Sequence, residues 1–80
     1  MKEIMKIEKG EVITLSNNKE YICFSTLNDA GVDYVYLMSN FKPLEIKFGE
    51  QTIDDGEVNI RIINDQNEKQ MVLNLFQNNN

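Results

Sequence analysis

Several residue types with well-defined chemistry are absent from this 80-residue chain or occur only once. The sequence has no histidine, and Cys23 is its single cysteine. Without histidine the chain lacks the commonest transition-metal ligand and general base, and one cysteine can form neither an internal disulfide nor a cysteine-rich zinc site. We therefore expect a non-catalytic protein with no catalytic residue, no cofactor and no bound metal.

Long apolar stretches are also missing from the sequence. The longest continuous apolar runs have four or five residues, whereas a membrane span needs about 20 and the centre of a signal peptide about 7 to 15. We therefore expect a cytoplasmic protein that makes no use of a membrane.

The charge balance is acidic, with 13 acidic and 8 basic side chains and a net charge of −5. Contacts to phosphate backbones need clustered lysine and arginine, and the basic residues here are dispersed, so a nucleic-acid partner is disfavoured. The alternative is a small nucleic-acid-binding barrel that stacks bases on aromatic side chains. It requires five lysines to converge in space: Lys2, Lys6, Lys9, Lys42 and Lys47.

Polar turn sequences divide residues 11–63 into β-branched and aromatic runs typical of strands. Asn17 and Asn18 are predicted to occupy the two central positions of a type I′ turn, because asparagine tolerates positive φ. A second turn is predicted at residues 28–31. The central runs, 21–27 and 32–38, carry large apolar groups on both faces, so both sides need a cover.

The predicted cover is a C-terminal helix over residues 65–77. Asp65 followed by Glu68 resembles a capping box, and an apolar stripe then follows, formed by Met71, Val72, Leu75 and Phe76. The predicted architecture is α+β in a single domain, 1–80: a small curled antiparallel sheet or SH3-like open barrel of four to five strands, closed by this helix. Residues 1–9 are predicted as an arm or edge strand, and 78–80 as a frayed tail.

The run GEVITLSNNKEYICFSTLNDAGVDYVYLM and the ending DQNEKQMVLNLF together resemble short, strand-rich proteins of low-GC Gram-positive bacteria and their mobile elements. The resemblance spans residues 10–76. Its marks are ITL, a polar turn, YVYL and a terminal amphipathic helix, and none is a catalytic motif. It implies a fold and a genomic context, but no activity and no site residue.

Three places in the sequence are candidate sites. Asp54, Asp55 and Glu57 flank Gly56, which indicates a solvated hairpin, with a weak cation site as the alternative. Cys23 is predicted to be a buried thiol that acts as a small hydrophobe. Phe41 is either a lid on the core or an exposed anchor.

These features together predict a small acidic protein-interaction module, acting as a regulatory protein or as an accessory protein of a phage or mobile element. The predicted partner-binding residues are Phe41, Asp54, Asp55 and Glu57. We expect the acidic segment to speed encounter with a basic protein partner, and Phe41 to supply a smaller share of the affinity. The sequence leaves the partner's identity and the oligomeric state open.

Overall fold

The computed structural model describes residues 6–78. Five strands are followed by one helix: β1 (Val12–Thr14), β2 (Glu20–Asp29), β3 (Val32–Ser39), β4 (Ile46–Asp54), β5 (Glu57–Ile62) and α1 (Gln66–Asn78). Each strand pairs antiparallel with the next along the chain, so the sheet is a meander in the order β1-β2-β3-β4-β5. This confirms the predicted α+β class, with a curled antiparallel sheet and a C-terminal helix.

Two of the hairpins close through two-residue turns whose central residues both have positive φ. Ala30 (φ 51°) and Gly31 (φ 83°) join β2 to β3, and Asp55 (φ 50°) and Gly56 (φ 81°) join β4 to β5. Positive φ at both central positions is the type I′ geometry, which matches the twist of the flanking strands. The acidic sequence around Gly56 is thus a hairpin turn.

The first hairpin differs from the prediction. Only Asn18 has positive φ there (64°), so the two asparagines do not form a type I′ pair. The Asn18 N–H donates to the Leu15 carbonyl at 2.9 Å, and the Leu15 N–H donates to the Lys19 carbonyl at 3.0 Å. A three-residue loop of this kind needs a single left-handed residue at its end, and Asn18 supplies it.

The sheet has an inner face and an outer face. The inner face buries Tyr21, Cys23, Val35 and Leu37, and these pack with partly buried side chains of both outer strands, including Ile13 of β1 and Ile60 and Ile62 of β5. Because β1 and β5 contribute to one cluster, the sheet curls into a half-barrel. Within residues 6–78, these two strands stand at opposite ends of the strand order and leave the barrel open.

The segment before β1 lies against this inner face. The Gln51 side chain is 5% exposed. Its oxygen accepts from the Ile7 N–H at 3.0 Å, and its nitrogen donates to the Ile7 carbonyl at 3.3 Å. Lys6 forms an ion pair with Asp33 at 2.6 Å. Residues 6–9 are an arm rather than a strand, and the remainder of the predicted arm, 1–5, lies outside the described residues.

Helix α1 begins where the capping pattern places it. The Glu68 N–H donates to the Asp65 carboxylate at 2.9 Å, so Asp65 is the N-cap. In a full capping box the Glu68 side chain would also accept from the N-cap backbone N–H. Here its carboxylate accepts instead from Arg61 of β5, at 2.8 Å. The helix packs on the outer face, where Val72 and Phe76 join Tyr34, Phe48 and Ile63 in a second buried cluster.

The helix ends at Asn78, so of the predicted tail, 78–80, the last two residues lie outside the described part of the chain.

Strand β4 has the alternation of apolar and polar residues that is typical of an outer strand, but it lies between β3 and β5. Met71, part of the predicted buried stripe, is 47% exposed. Over residues 6–78, no helix has the length and apolar character needed to cross a membrane.

Candidate functional site

The outer face of the sheet is covered over only part of its area. Beside the helix, four apolar side chains from four adjacent strands are direct cross-strand neighbours: Val12 is opposite Ile22, Ile22 opposite Met38, and Met38 opposite Ile46. We call these four residues the apolar row. Val12, Ile22 and Ile46 are 54%, 36% and 48% exposed, and Met38 is partly exposed.

A groove separates the apolar row from α1. Its volume is about 200 Å³, and it is lined by Phe24, Ser25, Tyr36, Leu73, Phe76 and Gln77. Phe24 is 54% exposed and lies where the register of β2 against β3 shifts, between Cys23 and Ser25. A β-bulge of this kind redirects a side chain. The Phe24 ring lies 5.3 Å from the Tyr36 ring, on the floor of the groove.

Local sequence explains why these side chains face outward. Tyr21 and Cys23 are buried on the inner face, so Ile22 between them must point to the outer face. The same alternation places Met38 outward, between the inner residues Leu37 and Ser39. Because β2 and β3 carry apolar groups on both faces, the outer face also needs a cover. The 13-residue helix α1 covers only one half of the outer face.

Phe41 lies at the end of the half-barrel near the first turn. Its ring is 5.6 Å from the Tyr21 ring in an edge-to-face arrangement. The Lys19 ammonium lies 5.1 Å from the centroid of the Phe41 ring. Phe41 is partly buried in the inner cluster, so of the two alternatives the structure favours a lid on the core.

Tyr21, beneath this lid, is fully buried but its hydroxyl is satisfied. The hydroxyl donates to Glu45 at 2.9 Å and accepts from Asn17 at 3.4 Å. Burial, and secondarily the neighbouring Glu45 carboxylate, raise the pKa of Tyr21 above its ordinary value. This end of the barrel is therefore a polar network over an apolar core. Phe41 packs on that core and also lines an open surface pocket of about 450 Å³ together with Leu44.

The acidic residues predicted to bind a partner lie elsewhere. Asp54, Asp55 and Glu57 are exposed at the β4–β5 hairpin. Phe41 precedes β4, whereas Asp54 is its last residue and Asp55 and Glu57 follow it. The length of this nine-residue strand separates the two groups by roughly 25 to 30 Å at about 3.3 Å per residue. The three acidic residues lie in one hairpin, where Asp54 is opposite Glu57, but Phe41 lies away from them.

Two of the lysines that a nucleic-acid surface would require, Lys6 and Lys42, lie near opposite ends of β3. Lys6 is paired with Asp33, at the start of β3, whereas Lys42 follows the end of that strand. Lys2 lies outside the described residues. The nucleic-acid alternative stays a prediction without support from this placement.

Cys23 is 1% exposed, and its sulfur lies 3.5 Å from the Ser25 carbonyl. Burial raises the pKa of this thiol, which keeps it protonated and unreactive. Among residues 6–78, no group of three histidine, cysteine or acidic side chains is placed to hold a metal ion.

A second apolar concavity lies at the opening of the half-barrel. It measures about 310 Å³ and separates β1 from β5, with Ile7, Ile13, Leu15, Val58, Ile60 and Ile62 among its lining residues. Ile7, whose N–H donates to the Gln51 side chain, forms part of its wall. This concavity lies between β1 and β5, whereas the groove beside α1 adjoins an apolar row that crosses four strands.

Comparisons with known proteins identify no relative. No family model, no curated protein and no solved structure matches this chain. The resemblance to strand-rich proteins of Gram-positive bacteria stays a prediction, and function must be argued from the surface itself.

Sequence reasoning did not identify the apolar row as a site. The available signal was the two-sided character of β2 and β3, which was assigned to helix burial. Leu44, Ile46 and Phe48 alternate with Glu45 and Lys47 in the sequence, and this pattern predicts that all three share one dry face. Only Phe48 is buried, at 8% exposure, whereas Leu44 and Ile46 are 58% and 48% exposed.

Proposed function

We propose that the protein is a small non-catalytic interaction module that binds another protein through the apolar row and the adjoining groove. The observation that carries this proposal is the alignment of four partly exposed apolar side chains across four neighbouring strands. Scattered exposed apolar residues are ordinary on protein surfaces, whereas a contiguous apolar patch is typical of an interaction site.

The composition of the surface supports the same proposal. Phe24 adds an exposed aromatic ring next to the row, and aromatic side chains are enriched at binding hot spots. The part of the chain described by the structure has no unpartnered buried polar side-chain atom. Binding energy is therefore expected from apolar burial rather than from a polar pocket.

The net charge of −5 favours a basic partner. Three of the basic side chains are neutralised by ion pairs: Lys6, Lys19 and Arg61. Asp54, Asp55 and Glu57 project from the hairpin and add to the acidic field that steers a basic protein toward the surface. Such a module would act as regulatory or accessory proteins do, by binding to a surface of its partner.

The electrostatic part of this proposal has its own prediction. Affinity should fall several-fold between low and high salt, because exposed charges are screened beyond about 8 to 10 Å at ordinary ionic strength. Asp54→Asn combined with Asp55→Asn should flatten this dependence, measured by titrating the captured partner at a series of salt concentrations. A slope unchanged by the double substitution would contradict a role for the hairpin.

Affinity capture from the cell that makes the protein tests the proposed function. The wild-type protein and two matched variants, Ile46→Thr and Ile53→Thr, serve as baits. Ile46 and Ile53 lie in the same strand and are 48% and 43% exposed, but Ile53 is outside the apolar row and points to the opposite face. Threonine keeps the β-branched shape that strands favour.

A protein retained by wild type and Ile53→Thr, but lost with Ile46→Thr, is the expected result. Retention of one protein equally by all three baits would move the binding surface away from the row. Capture of DNA or RNA instead of protein would overturn the interaction-module proposal in favour of the nucleic-acid alternative.

A further inference from the structure

We propose that the apolar row and groove bind one amphipathic helix of a basic partner, lying beside α1 and parallel to its axis. This inference rests on the proposed function, because it specifies the occupant of the same surface. It is argued from the direction of α1, the length of the row and the groups that the surface presents.

Helix α1 crosses the strands rather than following them. Near its start, Glu68 pairs with Arg61 of β5. Near its end, Leu73, Phe76 and Gln77 line the groove together with Phe24 and Ser25 of β2. The axis of α1 therefore runs from β5 across the sheet toward β2.

The apolar row runs in the same direction. It begins at Ile46 in β4 and crosses β3 and β2 to Val12 in β1. Three spacings of about 4.8 Å between strands give a length of roughly 14 Å. This length corresponds to roughly 10 residues, or nearly three turns, of an α-helix at 1.5 Å per residue.

The separation of row and helix also suits a second helix. The row lies two residues along the strands from Tyr36 and Phe48, whose rings pack against Phe76 of α1. Two residues correspond to about 7 Å, and neighbouring helices pack about 8 to 10 Å apart. A helix seated on the row would thus contact Leu73 and Gln77 on one side and extend toward Leu44 on the other.

The surface presents side chains, which distinguishes a helix from an extended strand. A strand adds to a sheet through unpaired backbone groups at an edge. Ile22, Met38 and Ile46 belong to β2, β3 and β4, which are paired on both sides within the described sheet. An amphipathic helix needs only an apolar groove, as α1 itself illustrates on the neighbouring half of this face.

The charge of the chain disfavours a second copy as the occupant. Two copies would bring a net charge of −5 against −5, and net charge far from zero opposes self-association. A helix with basic residues on its polar face meets an attractive field instead.

Model peptides of 14 residues test this inference with the full-length protein. The first places leucines at helical spacing and lysines elsewhere, the second has the same composition with leucine and lysine alternating as in a strand, and the third replaces every lysine of the first by glutamate. Binding to wild type, Ile46→Thr and Ile53→Thr is measured by fluorescence anisotropy, and oligomeric state by light scattering.

The helical Leu-Lys peptide should bind wild type at least roughly fivefold more tightly than either of the other peptides. Ile46→Thr should weaken that binding roughly fivefold, because it replaces apolar contact area with a hydroxyl, while Ile53→Thr should change it less than about twofold. Circular dichroism of each variant and of the bound peptide checks folding and helix formation.

Stronger binding of the alternating peptide would overturn the helix in favour of a strand. A dimer that Ile46→Thr dissociates would overturn it in favour of a second copy, and no binding of the helical peptide up to millimolar concentration would overturn it outright. In each case, capture of a cellular protein that depends on Ile46 would leave the proposed function standing.

Discussion

The two halves of the outer face share strands β3 and β4, but only one half is covered by the helix. In the covered half, Tyr34, Phe48 and Ile63 lie beneath α1 and are at most 8% exposed. In the bare half, Val12, Ile22 and Ile46 are between 36% and 54% exposed. Both halves are apolar, so apolar sequence in a strand does not by itself reveal what will cover it.

This difference separates folding from binding. Burial of the covered half supplies stability that a domain of this size needs, because small domains bury a modest fraction of their surface. The apolar area that stays exposed in the bare half adds nothing to the stability of the isolated chain and is available to a partner. Substitutions in the covered half should therefore lower stability, whereas substitutions in the bare half should lower affinity for a partner.

The largest effect is expected from breaking the covered half. Phe76 is 8% exposed, and its ring packs against those of Tyr36 and Phe48. Phe76→Ala should lower the free energy of unfolding by about 3 to 5 kcal/mol, measured by urea denaturation. Met71→Ala in the same helix, at a side chain 47% exposed, is the control and should cost under about 1 kcal/mol. A loss below about 1 kcal/mol for Phe76→Ala would make the helix an appendage.

A smaller loss of stability is expected from a substitution on the inner face. Unlike the bare half of the outer face, the inner face is closely packed. A Cβ atom added at Gly49 would lie 2.9 Å from the Ile60 Cγ2 atom and 3.2 Å from the Val35 Cγ2 atom. Gly49→Ala should therefore cost about 1 to 3 kcal/mol in unfolding free energy. Thr52→Ala, at an exposed site of the same strand, is the comparison. Equal stability of the two variants would show that the inner face tolerates added volume.

The smallest effect is a gain. Ala30 has a φ of 51°, in the left-handed region that asparagine and glycine occupy more readily than alanine. Ala30→Asn should raise the free energy of unfolding by about 0.5 to 1 kcal/mol, since it relieves strain in the β2–β3 turn. A decrease in stability would contradict this reading of the turn. The substitution lies outside the apolar row, so it also provides a stabilised background for testing row variants.

Much of the fold could be predicted from residue patterns. The hairpin at Gly56, the buried thiol of Cys23 and the N-cap at Asp65 each follow from local chemistry. Tyr34 and Tyr36, in a strand with apolar groups on both faces, pack in the cluster that α1 covers. The first turn was predicted less well, because loop length rather than asparagine content decides how many residues take positive φ.

The candidate site could not be predicted in the same way. The alternation of Leu44, Ile46 and Phe48 indicates a dry face, but only the tertiary position of α1 decides that Phe48 is covered and Ile46 is bare. Gly49 also gives no local signal of its close contacts. Phe41 and the acidic hairpin were combined into one predicted site, yet the intervening strand holds them at opposite ends of the sheet.

Urea unfolding of wild type and Ile46→Thr, with and without the helical Leu-Lys peptide, tests the central claim most directly. A ligand that binds only the folded state raises the free energy of unfolding by an amount set by its concentration and affinity. The bare half should serve binding alone, so the two proteins should unfold within about 1 kcal/mol of each other without peptide. When peptide is added well above its Kd, it should stabilise wild type by about 1 kcal/mol more than it stabilises Ile46→Thr, which corresponds to the fivefold difference in affinity. An Ile46→Thr protein that is about 2 kcal/mol or more less stable without peptide, or is stabilised by it as much as wild type, would contradict the account.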